Sequence, residues 1–133
     1  MTTYTANGTF DVTTTPQTDA QLAEVSLARL MLDKKFSGDL QATGKGQMLA
    51  CGTPTQGSAG YVAIEHVSGT LHGREGSFVF QHTGTMNRGE QQLSITVVPD
   101  SGTGALQGIE GTFTLIVNDG QHFYSFEYSL TSQ

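Results

Sequence analysis

The chain has 133 residues, 36% of them hydrophobic, with 6 Lys+Arg against 12 Asp+Glu and a formal net charge of −6. That length suits one domain, spanning 1–133, with a core of its own. The acidic balance, with no basic run and no basic–aromatic stripe, argues against nucleic acid as a partner and fits poorly with an anionic membrane. Gly is abundant at 17, Pro scarce at 3 and Trp absent. Glycine, threonine and serine set among β-branched residues make an all-β composition, with glycines at turns, bulges and kinks.

The opening "MTTYTANGTF" has neither a basic n-region nor an apolar h-region. No apolar run approaches the length that spans a bilayer. Cys51 is the single cysteine, so no intrachain disulfide can form, and a cytoplasmic location is expected. The sequon at Asn7–Thr9 is then chance. Cys51 reads as a small buried hydrophobe, since no base or cation stands beside it in sequence to activate the thiol.

The first predicted strand covers about 4–14, with Phe10 and Val12 alternating against Thr9, Asp11 and Thr13, and Pro16 in "TTPQTD" is expected to break it. Residues 19–33 read two ways. Asp19 followed by Ala20, Gln21, Leu22, Ala23 and Glu24 resembles a capped helix. Val25, Leu27 and Met31 then alternate with Ser26 and Ala28 as a strand would, although Leu30 and Leu32 interrupt the pattern; a strand apolar on both faces is the preferred reading. In "FSGDLQATGKGQM" Phe36, Leu40, Ala42 and Met48 share one parity, which predicts a half-buried strand.

After the loop "CGTPTQGSAG" come strands over 61–71 and 76–86, joined by "HGREG", and a strand over 92–99 ended by Pro99. Past the glycine-rich "DSGTGALQGIEG" follow strands over 112–117 and 123–130, joined by a hairpin turn at Asn118–Gly120. About eight short antiparallel strands predict a closed barrel, whose interior holds side chains or one small ligand; a sandwich is the alternative.

The "HGREG" hairpin carries the most chemistry. With Gly73–Arg74 as a two-residue turn, Val67 faces Phe80 and Glu65 faces His82. Tyr61, Ala63, Val67 and Leu71 then lie with Phe78, Phe80 and Met86, and one carboxylate and one imidazole share that apolar face. A slip of one residue pairs His66 with His82 instead and turns Val62 and Ile64 onto the Phe face. An ionised Glu65 in an apolar interior must be paired, protonated or wet; His82 is the nearest candidate partner and Arg29 another. Such a pair can orient a ligand's polar group, do acid–base work near neutral pH, or simply tie the core together.

Other motifs are weaker. His66, His72, His82 and His122 include no H-x-H or H-E-x-x-H, so no metal is expected. The glycines of "SGTGALQGIEG" lack dinucleotide-fingerprint spacing and read as tight turns, and no cofactor is expected. On the last strand Tyr124, Phe126, Tyr128 and Leu130 form an aromatic face suited to core or cavity wall. Apolar residues on both faces of 61–71, as with Val62 and Ile64, predict a homo-oligomer contact.

The segments "FSGDLQATGKGQML", "YVAIEHVSGTLHGREGSFVFQHTGTM" and "LSITVVPDSGTGALQGIEGTFTL" resemble a bacterial family of small proteins of unknown function, known as barrels similar in fold to allene oxide cyclase. The turn "GTGALQGIEG" also looks like that of allene oxide cyclases and dirigent proteins. The resemblance implies a closed eight-stranded barrel with a cavity, an oligomeric state, and apolar small molecules as ligands. It implies no reaction. Three functions follow: a module binding a small, largely apolar ligand with Tyr61, Glu65, Phe78, Phe80, His82 and Tyr128; a cyclase- or isomerase-like enzyme using Glu65 and His82 for proton transfer; or a filled barrel acting through its surface.

Overall fold

Alternation with period two builds every long element of the fold, which is described for residues 2–22 and 27–130 in a computed structural model. The strands are β1 (Thr3–Leu22), β2 (Leu27–Gly38), β3 (Leu40–Gly52), β4 (Ala59–Leu71), β5 (Arg74–Asn87), β6 (Glu90–Val97), the two-residue β7 (Thr103–Gly104), β8 (Ile109–Asn118) and β9 (Gln121–Leu130). Hydrogen bonding runs β4-β3-β2-β1-β9-β8-β6-β5, and β5 returns to β4. Eight antiparallel strands therefore close into a barrel, as the turn spacing predicts. No described helix is long and apolar enough to cross a membrane.

Two local expectations are corrected. Pro16 does not break β1: it pairs with Leu30, and β1 continues to Leu22. The pairing of β9 with β1 ends at Phe10, so Pro16 sits where β1 has β2 on one side and an open edge on the other. An edge tolerates a residue without an N–H. The preferred strand reading of 19–33 is the one found where that stretch is described: residues 19–22 continue β1 and residues 27–33 belong to β2, with Leu22 paired to Leu27; residues 23–26 lie outside the described residues. Phe36 closes β2 rather than opening a long strand through Met48, because the chain reverses at Gly38, whose φ of +101° suits glycine.

A strand apolar on both faces leaves its inner face open, and the pairing of β2 selects one parity. Leu32 and Phe36 are buried, whereas Leu27 is 37% exposed. The residues that interrupted the alternation, Leu30 and Leu32, are the ones that follow the core parity.

One end of the barrel is filled. Phe78, Phe80, Phe113, Phe126 and Tyr124 pack there with Leu40, Leu71 and Ile109, all at most 3% exposed. Phe80 and Phe126 meet edge to face at 5.3 Å, and Phe113 stacks on Tyr124 at 5.3 Å. The Tyr124 hydroxyl accepts from the Leu40 amide at 2.9 Å and donates to the Ser37 carbonyl at 2.8 Å, so its burial leaves no polar atom unmet. Leu106, 1% exposed, caps this end from the loop held by β7 against β5. Outside the barrel, Leu49 pairs with Val62 and lies near Ile64, all three more than half exposed, as an apolar strip across β3 and β4.

Candidate functional site

The hairpin β4–β5 decides where the polar pair sits. Leu71 pairs with Arg74, so the turn is His72–Gly73 and not Gly73–Arg74. Both turn residues have positive φ, 48° and 78°, as the tight hairpin turn matched to strand twist demands. The register consequently places Glu65 opposite Phe80 and His82 opposite Ala63. The expected register is two positions off, but a shift of two preserves the face. Glu65 and His82 are diagonal neighbours, and their side chains still meet: His82 Nε2 lies 2.9 Å from Glu65 Oε1.

A third member was missed. Lys34 on β2 pairs across to Gly44 on β3, and its Nζ donates to the same Glu65 Oε1 at 3.1 Å. The lysine side chain is 8% exposed and the glutamate fully buried. Gly44 makes the meeting across β3 achievable, because a Cβ there would overlap Glu65 Oε2. Lys34 lies over the rings of Phe10, at 5.1 Å, and Phe36, at 5.9 Å, adding cation–π attraction. The sequence signal was the parity of Leu32, Lys34 and Phe36, hidden because β2 is apolar on both faces. Arg29, the other candidate for Glu65, instead donates to Gln47 at 2.9 Å.

Electrostatics favour the ionised carboxylate. Burial pushes the Glu65 carboxyl up, but the hydrogen bond from His82 and the charges of Lys34 and His82 outweigh it and hold the group below the usual glutamate range. A carboxylate only accepts, so His82 Nε2 carries a proton and donates it. Glu65 Oε2 is buried without a hydrogen-bond partner among the described residues. A folded-state pKa below the unfolded value means stability present above about pH 4.3 and lost as pH falls through the folded value. The urea midpoint of the wild type is therefore expected to fall more steeply than that of Glu65→Gln below about pH 5. Parallel curves would show that Glu65 is not held ionised.

The triad forms the floor of the unfilled end. A cavity of about 160 Å³ is bordered by Lys34, Tyr61, His82 and His122 together with Phe10, Leu32 and Ile95. It shares Met48, Tyr61 and Leu115 with an apolar mouth of about 430 Å³, walled also by Ala50, Met86 and Leu93. Burial, and then the Glu65 charge, push the Tyr61 phenol up, which keeps its hydroxyl protonated.

Of the residues expected to bind ligand, Tyr61 and His82 border a cavity, and Glu65 stands immediately behind. Phe78 and Phe80 belong to the filled half and border neither cavity. Tyr128 lies towards the capped end, with its hydroxyl bonded to His72 Nδ1, and His72 Nε2 is 3.6 Å from Asp39 Oδ2. That cluster ties two turns to β9.

The sequence model of one protein family, described as "Protein of unknown function (DUF3224)", matches residues 6–128. The fold superposes on the crystal structure of a protein with unknown function from the same family, from Shewanella oneidensis MR-1, with a TM-score of 0.94. The two chains are 45% identical, and the match covers 99% of this chain and 100% of that one. No curated protein matches.

Proposed function

The chain belongs to the DUF3224 family, and from that premise we propose that it binds one small, largely apolar molecule in the unfilled end of its barrel. The observation that carries this reading is the asymmetry of the interior. One half is packed with aromatic rings, and the other leaves an apolar mouth that leads down to a buried lysine–glutamate–histidine group. A mostly apolar concavity with a few convergent polar groups is the usual form of a small-molecule site.

An environment-sensitive hydrophobic dye is expected to bind one per chain. Ala50→Trp, which fills the mouth from β3, is expected to abolish that binding while the fold persists by circular dichroism. Dye binding that survives Ala50→Trp would place the dye elsewhere and remove the support.

The second reading is a cyclase- or isomerase-like enzyme. The observation favouring it is that His82, bonded to the ionised Glu65, borders the cavity and is suited to moving a proton to and from a bound molecule. For any compound that the protein converts, His82→Ala separates the two readings. Loss of turnover with binding retained assigns His82 to catalysis; loss of binding alone assigns it to ligand orientation.

A further inference from the structure

We infer that the ligand's polar end is a carboxylate. The inference rests on the binding reading above and specifies its chemistry. It begins with an unmet demand. The Lys34 ammonium has three N–H donors; among the described residues it makes one hydrogen bond, to Glu65 Oε1, and it lies over the faces of Phe10 and Phe36. A side chain only 8% exposed thus holds donors without acceptors at the edge of a cavity.

Among the described residues, the other polar groups on the inner cavity are Thr14, Tyr61, His82 and His122, and no carboxylate borders it, since Glu65 lies behind Lys34 and His82. Among the described residues, β1, β3, β6 and β8 bring no titratable group to the space; Lys34 comes from β2, Tyr61 from β4, His82 from β5 and His122 from β9. The Tyr61 phenol stays protonated and donates. The lining therefore asks for a group that accepts more than one hydrogen bond.

Charge sets the sign of that group. Glu65 Oε1 takes one donor of the Lys34 ammonium, and the donors that remain, with the Tyr61 hydroxyl, favour an anionic oxygen acceptor over an ester or an amine. The bound state is then a carboxylate accepting from Lys34 and Tyr61. Its tail lies in the mouth among Met48, Ala50, Met86 and Leu93.

Octanoate, methyl octanoate and octylamine share a chain and differ in the head, so they test this with the wild-type protein. By calorimetry, octanoate is expected to bind at least tenfold more tightly than the ester, and the amine least well. In Lys34→Met/Glu65→Gln, which removes both charges together, octanoate should fall at least tenfold while the ester is unchanged. Equal affinity for acid and ester, or tightest binding of the amine, overturns the inference while leaving an apolar mouth intact. If none of the three binds, the binding reading itself fails with it.

Discussion

Replacing Lys34 with Met is expected to cost about 3–5 kcal/mol of stability, and adding Glu65→Gln is expected to return the protein to within about 1 kcal/mol of wild type. The single change leaves a fully buried carboxylate with His82 as its remaining partner, when one of its oxygens is already unpartnered. Removing one member of a buried ion pair exposes the desolvation cost of the other. The double change removes both charges, and the introduced glutamine keeps an oxygen for the His82 ring. Urea unfolding of wild type, both single variants and the double variant measures the coupling directly. Additive losses would mean that Lys34 and Glu65 do not stabilise one another, whatever their separation.

The second large effect belongs to the filled half. Phe126→Ala is expected to cost about 3–5 kcal/mol, a substantial fraction of the stability of a domain this size. Phe126 is fully buried and meets the rings of Phe78, Phe80, Phe113 and Tyr128 at 5.3–6.0 Å. These neighbours are held on β5, β8 and β9 itself and cannot all collapse into the void. Because Phe126 borders neither cavity, the hydrophobic dye should bind Phe126→Ala with its wild-type stoichiometry. A loss below about 1 kcal/mol would mean that this end of the barrel is not close-packed.

The two effects separate the halves by chemistry. At the capped end, ring packing fixes the barrel's cross-section and leaves no room for another molecule. At the other end, the same inward parity delivers smaller or more widely spaced residues, Ala50, Ala59, Gly84 and Met86, and space remains. The triad lies at the boundary, where burial is deep enough to make charges costly and the cavity is near enough to use them.

Much of this was legible in the residues. Alternation with period two is a local property, so the all-β class, the approximate strand count and the inward parity of Glu65 and His82 could be read without knowing any contact. Their meeting survived an error in the hairpin turn, because a register shift of two leaves faces unchanged. Turn type was harder to read. It depended on whether His72 would accept a positive φ, and the sequence there offers Gly73 as the more obvious corner.

The long-range facts were decided by tertiary structure alone. Lys34 and Glu65 stand on strands separated by β3, and they touch because Gly44 between them has no side chain. Which parity of β2 faced inward was undetermined while both faces were apolar; pairing with β1 and β3 chose Leu32, Lys34 and Phe36. Pro16 continued a strand because β9 had already ended beside it. The sequence by itself determined what repeats along each strand. Where the strands stop, and which side chains therefore share the enclosed volume, follows from closing the barrel, which sums eight registers that no single segment encodes.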